Sequence, residues 1–96
     1  MRYIFKSPAA KSDLENIWLY SFGEWGEEQA DRYYDELIAG MEHLTAHPEL
    51  GRSREAIRHG YYSIQINHHV IYYRLQSDMI DIVRVLHERM NPKQHL

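Results

Sequence analysis

From Ala10 onward apolar positions return every three or four residues: Ala10, Leu14, Ile17 and Trp25, with Ser21 as the polar member and Trp18 and Phe22 widening the stripe. That period predicts an amphipathic helix. Ser7-Pro8 marks its start, since serine caps a helix and proline suits the first helical position. Ser12 with Glu15 offers a second capping box, and Gly23 and Gly26 mark the stop. A second stripe follows in Ala30, Tyr33, Tyr34, Leu37, Ile38, Met41 and Leu44, opened by Glu27-Glu28 at the positive end of the helix dipole. His47-Pro48 closes it, because the residue before proline disfavours helix. The first half is therefore a helical hairpin, preceded by a short strand over Arg2 to Lys6, with Asp31, Asp35, Glu36 and Glu42 on its outer face.

The period then changes. From Leu50 to His59 it is weak and the composition basic, which predicts a loop with room for a short edge strand around Ala56 to Arg58. Beyond Gly60 the segments YYSIQIN, HVIYYRL and MIDIVRVLH are rich in β-branched and aromatic residues, and turn-like pairs Asn67-His68 and Ser77-Asp78 separate them. Three antiparallel strands follow. Two-residue turns set the register: Tyr62 opposite Tyr73, Ile64 opposite Ile71, Ile66 opposite His69, Leu75 opposite Ile80 and Tyr73 opposite Ile82. These form one apolar face for the helices to cover. The other face carries Tyr61, Ser63, Gln65, Val70, Tyr72, Arg74, Asp81, Val83, Val85 and His87, pairing Arg74 with Asp81, Tyr72 with Val83 and His68 with His87. Large apolar side chains left in water forgo about 1.5 to 3 kcal/mol each, so this half-apolar face calls for a cover, and a separate partner fits better than the few polar residues after His87. Arg84 fits poorly: the register places it on the core side opposite Ile71, so either a bulge turns it outward or a helix carboxylate pairs with it.

At 96 residues the chain holds one domain, residues 1–96, with one core. It has no cysteine, no apolar leader and no run of roughly 18 apolar residues, which excludes a disulfide framework and a membrane span and points to the cytoplasm. The net charge of −3 hides a division. Residues 1–49 carry 10 acids against 4 bases, a balance of −6, and residues 50–96 carry 4 acids against 7 bases, a balance of +3. A cationic surface is therefore expected despite a sequence pI near 6.1.

The runs WGEEQADRYYDEL, HPELGRSR, GYYSIQINHHVIYYRL and DIVRVLHERMNP, in that order and across nearly the whole chain, resemble the ParE toxins of the RelE/ParE superfamily. The resemblance implies an N-terminal strand, a helical hairpin packed on one face of a mostly antiparallel sheet, and a C-terminal β-meander. That is the two-layer α+β fold already read from the pattern. It also implies a cognate antitoxin that wraps the toxin, and DNA gyrase with its DNA as the target, inhibited by binding and without a cofactor. A homodimer or a hetero-oligomer with the antitoxin is compatible with this. From charge and facing, the expected partner-binding residues are Arg58, Tyr61, Tyr72, Arg74, Val83, Val85, His87 and Arg89. Arg52, Arg54 and Arg84 add to the cationic rim.

Two other functions fit the fold: a ribosome-dependent mRNA endonuclease of the RelE type, and an interaction module without toxicity. The endonuclease needs a proton carrier beside cations that stabilise the phosphorane, for which His87 with Arg58, Arg74 and Arg84 is the candidate set. Against it, the C-terminal tail lacks dense lysine and arginine. The preferred reading of His87 is structural, a strand-end imidazole bonded to a nearby backbone group. His43 and His47 are spaced for metal but lack a third ligand, and His68 and His69 point to opposite faces, so no metal site is expected. Trp18, Trp25, Tyr33 and Tyr34, at helical spacing, are assigned to packing.

Overall fold

The computed structural model describes residues 2–96. Strand β1 (Tyr3–Lys6) leads into helix α1 (Pro8–Trp25), which reverses into α2 (Glu27–Ala46). A 3-10 turn at Pro48–Leu50 precedes β2 (Arg52–Ser53), β3 (Tyr61–Ile66), β4 (His69–Leu75) and β5 (Met79–His87), and a second 3-10 turn, Pro92–Gln94, lies in the C-terminal tail. One five-stranded sheet runs in the order β1-β5-β4-β3-β2, with β1 parallel to β5 and the other pairs antiparallel. This is the expected two-layer α+β arrangement.

Ser7 caps α1: its hydroxyl accepts the Ala10 N–H at 3.0 Å, with Pro8 at the first helical position. The alternative start at Ser12 lies inside the helix. Gly23 does not end it either. α1 continues to Trp25 and stops at Gly26, whose φ of 91° lies in the left-handed region that a side chain disfavours. Gly26 also precedes the first residue of α2, so one residue makes the whole reversal.

The core forms where the two apolar stripes meet the sheet: Ala10, Leu14, Leu37, Met41 and Leu44 against Ile71, Tyr73, Ile80, Ile82 and Val85. Tyr73 is completely buried, and its hydroxyl donates to the Pro48 carbonyl at 3.0 Å, so the largest core side chain keeps its polar atom satisfied. Gly51 makes this approach possible, because a Cβ there would collide with the Tyr73 hydroxyl.

The registers expected for the first hairpin hold, as do Leu75 with Ile80, Arg74 with Asp81 and Tyr73 with Ile82. Beyond Ile82 the structure departs from expectation. Tyr72 pairs with Arg84, not Val83; Ile71 pairs with Val85; and His69, not His68, pairs with His87. Val83 is thus the extra residue of a β-bulge, and every residue after it changes face. Val85 belongs to the core instead of the outer face. The bulge is held from two sides. Ser7 donates its N–H to the Ile82 carbonyl at 3.0 Å and its hydroxyl to the Val83 carbonyl at 2.8 Å. Asp13 on α1 accepts the Val85 N–H at 2.9 Å and grips the Arg84 guanidinium at 2.7 and 2.8 Å. Both remedies considered for Arg84, a bulge and a helix carboxylate, are therefore present together.

The short edge strand is Arg52–Ser53, paired with Ser63 and Tyr62, whereas residues 55–57 form a turn. A periodicity window cannot register a two-residue strand.

Candidate functional site

Parallel pairing of β1 with β5 covers only Met79 to Ile82, so β5 beyond the bulge has no strand on that side. α1 runs alongside this free edge and the C-terminal tail turns back toward it, Arg84 Nη1 donating to the His95 carbonyl at 3.1 Å. Between helix, edge and tail lies a groove of about 550 Å³. Ile17, Tyr20, Ser21 and Trp25 form its helix wall, Val85, Leu86 and His87 its strand wall, and Met90 and His95 its tail wall, with Tyr33, His68 and His69 at one end. A smaller concavity of about 350 Å³ shares Ser21, Trp25, Tyr33 and His68 and continues toward Gln29, Glu36 and Asn67.

Apolar exposure concentrates on the same helix. Tyr20 is 64 % and Trp25 63 % exposed, and Leu19 and Phe22 are also exposed. Trp25 therefore does not pack in the core as its spacing suggested. Trp18 is half-buried, stacked on Phe22, with its indole N–H donating to Asp31 at 2.8 Å. Tyr33 and Tyr34 do pack against the core.

The end of the groove holds a polar cluster. The His68 backbone N–H donates to the Tyr33 hydroxyl at 3.2 Å, and that hydroxyl lies 2.6 Å from His69 Nδ1. Burial, with His87 and His68 nearby, lowers the His69 pKa from 6.5 to about 4, so the ring is neutral at pH 7. Burial raises the Tyr33 pKa, so its proton stays on and is placed to be donated to His69. The His69 and His87 rings meet edge to face at 5.2 Å, and His87 Nδ1 accepts the Arg89 N–H at 3.1 Å. His87 thus has the structural bond expected of it. His68 turns the other way and pairs with Glu88 at 2.8 Å, as opposite facing of adjacent residues requires. Among the described residues no group of three or more His, Cys, Asp or Glu is arranged to hold a metal.

The other expected site residues lie elsewhere. Arg58 and Arg74 flank the Tyr61 ring at 5.9 and 6.0 Å, on the side of the sheet away from the helices, and Arg74 pairs with Asp81 at 2.9 Å. That face is not the open apolar surface the alternation suggested. Tyr61, Ser63, Tyr72 and Asp81 are buried within the chain, with Arg54 Nε donating to Ser63 Oγ at 2.7 Å. Val83 and Val70 are half-buried, while Arg89 is exposed in the tail. His87 faces His69, and Arg74 lies five positions along β4 from His69, about 16 Å at strand spacing. Of the endonuclease set, the structure therefore brings Arg84 and His87 to the same groove and leaves Arg58 and Arg74 together on the other side of the sheet. Asp13, Tyr20 and Tyr33 were not anticipated as site residues. For Asp13 alone a signal existed, the misfit of Arg84.

The family described as the ParE toxin of the type II toxin-antitoxin system, parDE, matches residues 4–92. Toxin ParE1 of Mycobacterium tuberculosis is 40 % identical over 96 residues, covering 99 % of this chain and 97 % of that one. Toxin ParE1 of Caulobacter vibrioides is 43 % identical over 90 residues, covering 94 % and 93 %. Among solved structures, the chromosomal ParDE toxin-antitoxin system from P. aeruginosa superposes with a TM-score of 0.78 at 18 % identity, over 91 % of this chain and 95 % of that one. The toxin-antitoxin complex RelBE2 from Mycobacterium tuberculosis gives 0.67 at 18 % identity, over 90 % and 96 %. At that identity the two structures speak for the fold alone.

Proposed function

The chain belongs to the ParE family of toxins of type II toxin-antitoxin systems, and from that premise we propose that it acts in the cytoplasm by binding DNA gyrase and its DNA, without turnover, until a cognate antitoxin neutralises it. The observation that carries this reading is the division of the candidate set between the groove, which holds His87 and Arg84, and the far side of the sheet, which holds Arg58 and Arg74. Cleaving RNA requires a proton carrier and cations within hydrogen-bond reach of one phosphate. Here the one imidazole of the candidate set already accepts a backbone N–H, Arg84 is held by Asp13, and Arg74 is held by Asp81.

The antitoxin takes the groove between α1 and the free edge of β5. Exposed aromatics on a helix beside a concave apolar floor suit the anchors of an amphipathic segment, and a strand edge without a neighbour can accept backbone hydrogen bonds from an extended one. His87 and Arg89 flank this site. Arg58, Tyr61, Tyr72, Arg74 and Val83 lie on the far side of the sheet and meet the gyrase and DNA complex when the antitoxin is absent.

Purified protein is expected to inhibit gyrase supercoiling and to accumulate cleaved DNA while leaving translated mRNA intact. Cleavage of mRNA that disappears in a folded His87→Ala variant would overturn the proposal in favour of the endonuclease. No effect in either assay, with normal growth on expression without the antitoxin, would leave an interaction module without toxicity.

A further inference from the structure

The corner of the sheet opposite the helices carries an arrangement that inhibition by protein contact alone does not use. Arg52 sits directly across from Ser63, which faces Tyr72, and in the adjoining row Tyr61 faces Arg74. Arg54 is anchored on the Ser63 hydroxyl, and Arg58 lies over the Tyr61 ring. Acids that would neutralise this corner are engaged. Asp81 is taken by Arg74, and Glu55 accepts the Gly60 N–H at 3.0 Å and meets His59 at 2.9 Å. Among the described residues no carboxylate forms an ion pair with Arg52, Arg54 or Arg58. The exposed acids Asp31, Asp35, Glu36 and Glu42 are on α2, in the other layer.

We propose that this corner binds the sugar-phosphate backbone of duplex DNA directly, independently of sequence. Guanidinium groups match phosphate oxygens in a planar fork, and those of Arg54 and Arg58 are already oriented by a hydroxyl and an aromatic ring, which reduces the ordering cost of binding. The acidic helical layer turns the cationic corner toward a polyanion. Duplex is favoured over single strand because recognition of single strands relies on open aromatic faces for bases to stack on. Tyr61 and Tyr72, only 9 % and 4 % exposed, offer none. An acidic protein surface is the competing occupant. None of the arginines, Ser63, Tyr61 or Tyr72 that make the corner is an exposed apolar anchor of the kind that usually dominates protein interfaces, the exposed Leu50 before Arg52 being the nearest along the chain, which leaves phosphate as the better match.

The test needs no gyrase, so its result is separable from that of the inhibition assay. Full-length protein is titrated against a short labelled duplex of mixed sequence, with salt varied from about 50 mM to about 200 mM. Three phosphate contacts predict that the logarithm of the association constant falls with the logarithm of salt at a slope of about −2.7. Replacing both Arg52→Ala and Arg58→Ala, exposed residues whose loss leaves the fold intact, should reduce that slope to about −0.9. The variant Lys11→Ala with Lys93→Ala removes the same charge from exposed positions outside the corner and should leave the slope unchanged. The proposal is overturned if the duplex does not bind at low salt, or if both double variants behave alike. Polyglutamate competing as well as unlabelled duplex would instead assign the corner to an acidic protein, and a tighter single strand would also contradict the proposal.

Discussion

His69 illustrates how burial sets the behaviour of one residue. Its Nδ1 contacts the Tyr33 hydroxyl, and the folded protein holds its pKa at about 4 against 6.5 for the free side chain. Between those values the unfolded chain carries a proton that the folded chain refuses. His69 therefore destabilises the fold progressively as pH falls from about 6.5 to about 4, and its contribution is level above that window. A His69→Gln variant should show a shallower loss of stability over the same window in urea denaturation; an unchanged pH slope would contradict the neutral, buried imidazole. Asp13 makes a separable prediction. Asp13→Ala removes both the partner of Arg84 and the acceptor for the Val85 N–H, and should cost about 3 to 5 kcal/mol. Asp13→Asn keeps an acceptor and should recover about 1 kcal/mol of that loss, read from denaturation midpoints.

Elements were legible where the chain itself fixes their geometry. Two-residue turns determined the hairpin registers, and the apolar stripe of α2 placed Ala30, Leu37, Met41 and Leu44 in the interior. The bulge left no trace in periodicity, because Val83, Arg84 and Val85 alternate equally well in either facing. Only the cost of a charge in the core hinted at it. The same limit hid the groove. The α1 stripe reads as apolar to its end, but Trp25, in the last turn, is exposed and lines the groove. Nor could spacing show that the outer sheet face is closed, since its burial comes from within the chain, including Arg54 on Ser63. The connection from α2 to β2 carries its own test. Gly51→Ala must push the 3-10 turn away from Tyr73, and overpacking of this kind should cost about 1 to 3 kcal/mol in denaturation experiments. Gly23, where an added Cβ meets nothing, should tolerate alanine.

On the scale of the whole molecule, the two layers divide the work. The helical layer is acidic outside, seals the core, and presents the aromatic wall of the groove; the sheet layer carries the cationic corner on its other side. In the proposed function the antitoxin occupies the groove and, while bound, keeps the toxin from the gyrase and DNA complex. The affinity of the purified toxin for its cognate antitoxin tests that placement most directly. Tyr20→Ala and Trp25→Ala change exposed residues of the groove and should each weaken the complex about tenfold or more, whereas Tyr3→Ala and Phe5→Ala, exposed on β1, should leave it unchanged. Undiminished affinity in the α1 variants, with loss confined to the β1 variants, would contradict the placement of the antitoxin in the groove.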